Sequence, residues 1–197
     1  MYCILVTGIP AAGKSTMAEQ LSQRFDIPCI SKDSIKEIMF DTIGFRSREE
    51  KVKLGVSSME IMYYTAAQMM KHKKPFILEN NFENSSRDGL KQLLDKYQYK
   101  AISVVLTGDY EVIYQRFIKR DNSVYRHRGH VVNDCYPEKE KKDMVPLSYP
   151  DYVDKIIKRG MDQFFISDAN IVVDTTDFEK IDLEDIIKQI RNYQSEE

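Results

Sequence analysis

The stretch Gly8-Ile9-Pro10-Ala11-Ala12-Gly13-Lys14-Ser15-Thr16 decides how the rest of the chain is read. It has the spacing G-x-x-x-x-G-K-[ST], follows the apolar run Cys3 to Thr7, and precedes Met17, Leu21 and Phe25 at intervals of four. Strand, glycine-bracketed loop and amphipathic helix in that order are the setting in which backbone N–H groups cradle a polyphosphate. Glycines at both ends keep side chains out of the way. The first turn of the following helix adds N–H groups without partners and a partial positive charge, so an anion is favoured twice. Lys14 is placed to reach the β and γ phosphates of ATP, and the Ser15 hydroxyl to bind Mg²⁺.

Beyond this loop, apolar runs alternate with longer segments of helical period, the order expected of an α/β fold with a largely parallel sheet. Four strands stand out at Cys3 to Thr7, Phe76 to Glu79, Ile102 to Thr107 and Ile171 to Asp174, with a weaker fifth at Pro28 to Ser31. All are continuous rather than alternating, as strands buried on both faces are. From Glu50 to Lys71, the residues Val52, Val56, Met59, Tyr63, Ala66 and Met70 recur at intervals of three and four, which predicts a long helix with this stripe in the core. Leu90, Leu93, Leu94 and Tyr97 repeat the pattern, as do Leu183, Ile186, Ile187 and Ile190. Capping signals precede three helices at Ser85 with Asp88, Asp109 before Val112, and Thr176 with Glu179. The chain reads as one domain over residues 1–197, with a polar lid insertion at about 121–150 that carries Pro137, Pro146 and Pro150.

Composition narrows the class of protein. Ile, Leu, Val and Phe make up 52 of 197 residues, and the formal net charge is −2, so the chain can collapse around a core and is not built mainly to neutralise nucleic-acid phosphates. Three separated cysteines, Cys3, Cys29 and Cys135, fit buried free thiols in a reducing compartment. Met1 to Gly13 lacks a basic leader pattern, and no apolar run reaches the length of a membrane span, so the expected location is cytoplasmic without membrane attachment.

Other residues converge on the carboxyl ends of the strands, where ligands gather in an open parallel sheet. Asp33 follows the second strand and opens a helix, so it is either an N-cap or a general base that takes the proton from an acceptor hydroxyl. Glu79 ends the third strand, where a second acidic residue could serve Mg²⁺. Arg116 and Arg120 share a helix face, and Arg126 and Arg128 follow. With Lys119 included and Asp121 subtracted, residues 116–128 carry five positive charges and one negative, a local +4. Such a cluster is a solvated face or a set of arginines that covers a transferring phosphoryl group. His127, His130 and Cys135 lie nearby, but a zinc site would need a fourth ligand and tighter spacing.

Taken together, these residues resemble small P-loop kinases, AAA-type ATP-binding P-loop proteins that include polynucleotide 5′-hydroxyl kinases, chloramphenicol phosphotransferases and zeta-type toxin kinases. The resemblance rests on Gly8 to Thr16, on Ile30-Ser31-Lys32-Asp33, on Ile77-Leu78-Glu79-Asn80-Asn81-Phe82, and on Arg116 with Arg120. It covers about the first 130 residues and leaves Val131 to Asp168 unmatched. It implies a P-loop NTPase fold with a five-stranded parallel sheet in the order 2-3-1-4-5. It also implies Lys14 and Ser15 at the ATP phosphates and Mg²⁺, Asp33 as base, and a lid bearing Arg116, Arg120 and Arg126. Substrate contacts would fall near Asn80, Asn81 and Arg87, and adenine packing near Thr175 and Thr176.

The function expected is an ATP-dependent kinase acting on a hydroxyl of a small-molecule or nucleotide-like acceptor. A polynucleotide 5′-hydroxyl kinase ranks below it because the basic patch is small, and an ATP-binding regulatory adaptor would have no need of a proton acceptor at Asp33. The acceptor, the choice between ATP and GTP, and the oligomeric state are left open by the sequence.

Overall fold

In the computed structural model, residues 1–140 and 145–195 are described. Five strands, β1 (Tyr2–Gly8), β2 (Cys29–Ser31), β3 (Phe76–Glu79), β4 (Lys100–Thr107) and β5 (Asn170–Asp174), form one sheet in the order β2-β3-β1-β4-β5. All neighbours are parallel, with Cys3 to Val6 of β1 in register with Phe76 to Glu79 on one side and Ile102 to Val104 opposite Ile4 to Val6 on the other. This is the P-loop NTPase order expected from the sequence.

Eight helices connect and cover the strands among the described residues. They are α1 (Lys14–Phe25), α2 (Lys32–Thr42), α3 (Arg48–Lys71), α4 (Arg87–Tyr97), α5 (Tyr110–Asp121), α6 (Arg128–Val131), α7 (Tyr149–Arg159) and α8 (Leu183–Ser195). Alternation along β1 divides the interior into two cores. Ile4 and Val6 pack with Met17, Leu21, Ile113, Ile156 and Ile187, whereas Cys3 and Leu5 pack with Met62, Ala66, Met70, Leu90 and Phe164. No helix among the described residues is long and apolar enough to cross a membrane.

Several sequence expectations shift for identifiable reasons. β5 alternates between buried and exposed residues because it is an edge strand, and Val172 is exposed. On α3 the buried face is Lys51, Leu54, Ser58, Met62, Ala66 and Met70, so of the expected stripe Ala66 and Met70 are core, Met59 and Tyr63 are partly buried against it, and Val52 and Val56 are exposed. Val52, Val56, Met59 and Tyr63 also line an open cleft. Asp109 caps α5 as expected, accepting from the N–H groups of Glu111 and Val112 at 2.9 Å. The cap before α4 is Glu83 with Ser86 rather than Ser85 with Asp88, and Asp177 rather than Thr176 caps the turn at Phe178–Lys180. The three cysteines are free, but Cys29 is exposed on the edge strand β2.

The segment expected to be an irregular lid is partly ordered. It contains α6, and a third apolar cluster of Phe40, Phe45, Leu54 and Val132 holds it against α2 and α3. Phe45 and Tyr136 exchange backbone hydrogen bonds of 2.8 Å, and buried Lys51 donates to the carbonyl oxygens of His130 and Val132 at 2.7 and 2.5 Å. Residues 141–144, within the expected insertion, lie outside the described residues.

Gly129 is the tightest point of this docking, because a Cβ there would stand 2.3 Å from the Phe40 ring. Gly129→Ala should lower stability by about 1–3 kcal/mol through overpacking, read from the midpoint of urea denaturation. An unchanged midpoint would mean that this segment does not rest on Phe40.

Candidate active site

The phosphate loop is shaped by one close contact. A Cβ on Gly8 would lie 2.0 Å from the Leu106 carbonyl oxygen, and Gly8 has φ +128, so only glycine lets β1 end against β4. Ile9 N–H donates to that same carbonyl at 3.1 Å, and the buried side chains of Ile9 and Ala12 anchor the loop in the core. Ala11 takes φ 68 and Gly13 φ 89, both in the left-handed region. No side chain caps α1 at Gly13, which leaves the N–H groups of its first turn facing the loop. Pro10, Ala11, Gly13, Lys14, Ser15 and Thr16 line one side of a cleft of about 380 Å³.

Lys14 is buried, and its Nζ donates to the Ile9 carbonyl oxygen at 2.8 Å. Burial lowers its pKa to about 8, against the attraction of Glu79. Glu79, 5 % exposed at the end of β3, accepts from the Ser31 hydroxyl at 2.5 Å and the Ser15 hydroxyl at 3.4 Å. Burial raises the Glu79 pKa, and Lys14 and Ser31 offset part of that rise.

Asp33 lies in the first turn of α2, and its side chain is half exposed. Ser31 is the N-cap of this helix, accepting from Ser34 N–H at 3.4 Å, so the Asp33 carboxylate is not used in capping. Burial among its neighbours pushes the Asp33 pKa up, but the cationic groups around it, His130 when protonated, Arg126, Lys36 and Lys32, hold it below the usual carboxylate range. His130 itself, 4.0 Å from Asp33 and 2.9 Å from Glu37, is held neutral by burial, with its pKa lowered to about 3.

The arginines divide into two kinds. Arg116 donates to the carbonyl oxygens of Thr175 and Thr176 and lies 3.9 Å over the Phe178 ring, so it fixes the β5–α8 connection at the rim of the cleft. Arg120 donates to Asp121 from Nε and Nη2 at 3.0 and 2.8 Å. Arg126 is 4.0 Å from Asp33 and 3.6 Å from Asp121, and its Nε is buried with no hydrogen-bond partner among the described residues. Arg126 thus has one guanidinium N–H without a hydrogen-bond acceptor among the described residues.

The same cleft includes Asp33, Glu79, Asn80 and Asn81 with the three arginines. Thr175 stands apart, since its buried hydroxyl donates to the Thr107 carbonyl oxygen at 2.9 Å. Arg87 turns away too, stacking 5.0 Å from Phe164 and donating to the Phe165 carbonyl oxygen. Phe178 was not foreseen. It lines the cleft 3.0 Å from where a Gly13 Cβ would be, and a single aromatic in a polar turn carries no periodic signal in the sequence.

A glycine-bounded loop between β1 and α1 of a 2-3-1-4-5 parallel sheet, with a buried lysine at its base, defines a P-loop nucleotide-binding protein. The AAA domain family matches residues 3–133, about two thirds of the sequence, and the chain belongs to that family. A crystal structure of a candidate kinase from Chloroflexus aurantiacus j-10-fl is similar at 26 % identity and TM-score 0.79, covering 97 % of each chain. A gluconokinase from Sinorhizobium meliloti 1021 shares the fold at 14 % identity and TM-score 0.56, covering 98 % of this chain and 97 % of its own. A sugar kinase from Janibacter sp. HTCC2649 does so at 13 % identity and TM-score 0.55, covering 98 % and 94 %. No curated protein matches the chain. The resemblance to P-loop kinases therefore holds for family and fold.

Because burial lowers the Lys14 pKa to about 8, the protein loses this charge as pH rises through 8, while a bound polyphosphate favours the charged form. Binding above that pH must take up a proton. ATP affinity, measured calorimetrically, should be flat near pH 7 and fall by up to about tenfold per unit above pH 8, with proton uptake growing in step. A flat profile to pH 9.5 would contradict this placement of Lys14.

Proposed function

We propose that this protein is an ATP-dependent kinase that transfers the γ-phosphoryl group to a hydroxyl of a small-molecule or nucleotide-like acceptor. The observation that carries this reading is Asp33, an ionised and accessible carboxylate in the same cleft as the phosphate loop, Lys14 and Arg126. In the proposed step the acceptor oxygen attacks phosphorus, its proton passes to Asp33, and the bond to the β-phosphate bridging oxygen breaks to release ADP. Lys14 and Arg126 neutralise the charge of the transferring group, with Arg120 next to them. Arg116 keeps a positioning role through the Thr175 and Thr176 carbonyls. The similarity to the Chloroflexus candidate kinase supports the same reading.

Mg²⁺ fits the residues present. The Ser15 hydroxyl and the Glu79 carboxylate are oxygen donors 3.4 Å apart, the hard ligand type this ion takes while keeping several waters. Ser15 would hold it, with Glu79 acting through water, and the ion would supply charge neutralisation at the phosphates.

Incubation with γ-labelled ATP, Mg²⁺ and a metabolite extract, followed by mass spectrometry, should reveal one dominant phosphorylated small molecule. Labelled oligonucleotide 5′ ends would support the polynucleotide reading instead, and no labelled product would support a nucleotide-binding adaptor. On the identified acceptor, Asp33→Asn should lower kcat by about 10²-fold or more and change the ATP Kd little. Full transfer by Asp33→Asn would remove Asp33 as the base. Lys14→Ala should weaken both binding and transfer.

A further inference from the structure

Next to the phosphate cleft lies a second one of about 410 Å³ between α2 and α3, closed at one end by the turn before α4. Asn80 joins the two, since it lines the first cleft and approaches the Met59 sulfur of the second at 4.0 Å. One wall carries Lys32 and Lys36, four residues apart on the face of α2 next to Asp33. The other carries exposed Val52 and Val56 with the half-buried Met59 and Tyr63, the first four residues of the α3 stripe.

The charges in this cleft are not balanced from within. Neither Lys32 nor Lys36 makes an ion pair or hydrogen bond among the described residues, and the polar contact of Lys36 is with the Phe40 ring at 5.3 Å. Arg48 beside them donates to Asn133 at 3.0 Å. Of the two carboxylates at the walls, Glu83 is already paired with Arg159 and accepts from Ser85, which leaves Glu60 at the rim. Burial, then the charge of Lys32, lowers the Lys36 pKa to about 8, against the pull of Asp33. Two partly desolvated cations kept side by side favour an anion between them.

Gly55 of α3 lines the same cleft, and a Cβ there would meet Lys36 Nζ in ordinary van der Waals contact at 3.4 Å, so Lys36 lies close against the α3 wall. Exposed Val52 and Val56 add apolar surface that gains from being covered.

Resting on the kinase reading above, we infer that the acceptor is a small organic anion, a phosphate or carboxylate on an apolar or ring-shaped body. Lys32 and Lys36 bind its anionic group, and the Val52, Val56, Met59 and Tyr63 face packs its body, presenting a hydroxyl to Asp33. A neutral sugar or alcohol would leave both lysines without a partner and is disfavoured.

The test measures binding, so its outcome stands apart from that of the labelling experiment. Phenyl phosphate, benzoate and benzyl alcohol are titrated by calorimetry and ligand-observed NMR, with and without a non-hydrolysable ATP analogue and Mg²⁺ to keep the probe out of the phosphate loop. The anions should bind at least about tenfold more tightly than benzyl alcohol. Lys32→Met/Lys36→Met should abolish that difference, the double arginine variant should restore it, and affinity for the ATP analogue should stay unchanged in both. Comparing phenyl phosphate with benzoate identifies which anion is preferred. Equal binding of benzyl alcohol, absence of anion binding, or anion binding that survives the methionine variant would each overturn the inference, whether or not the protein transfers phosphate. If the anions bind as expected and no labelled product forms, the kinase reading fails and the anion site stands.

Discussion

The Leu106 carbonyl oxygen leaves no space for a side chain at Gly8, and that exclusion governs what the chain does next. With glycine at the end of β1, the backbone turns out of the sheet, and Ile9 and Ala12 enter the core as anchors. Ser15 and Thr16 are exposed beyond them, buried Lys14 folds back on the Ile9 carbonyl oxygen, and the first turn of α1 carries no side-chain cap. A bulkier residue at this position would separate β1 from β4, the most extensive strand pairing in the sheet, before any ligand was involved. Fold and phosphate site therefore share one steric constraint.

Around that loop the protein collects cations faster than it pairs them. Lys14 is attracted by buried Glu79, but Arg126 keeps a buried nitrogen without a hydrogen-bond partner, and Lys32 and Lys36 have no ion pair or hydrogen bond among the described residues. In a chain whose total charge is −2, such a concentration is an arrangement made by folding rather than by composition. The segment that carries Arg126 and His130 is held over α2 by Phe40, Phe45 and Lys51, so the packing that orders this segment also sets the electrostatics around Asp33. The cationic groups around Asp33 hold its pKa down and burial holds that of His130 down, so the carboxylate stays ionised beside them.

Much of this was legible in residue order. The glycine spacing, the continuous apolar strands and the helical stripes contain the P-loop fold because local geometry and burial follow directly from them. What the sequence did not reveal depends on which face of a helix meets which neighbour. Val52 and Val56 continue the period of the stripe that ends in buried Ala66 and Met70, yet they are exposed while Leu54, Ser58 and Met62 face inward, and no local rule distinguishes two apolar faces of one helix. Arg116 could be placed near the site by its spacing, but not its engagement with the Thr175 and Thr176 carbonyls, which come from a strand far along the chain. Phe178 and the docking of Gly129 on Phe40 are likewise long-range contacts.

The most direct measurement of the account is amide hydrogen exchange with and without ATP and Mg²⁺. Protection should concentrate at residues 9–16, where backbone N–H groups would bind phosphate, with a second region at 120–130 as Arg120 and Arg126 engage the nucleotide. Protection confined to other parts of the sheet, with residues 9–16 exchanging as before, would contradict it.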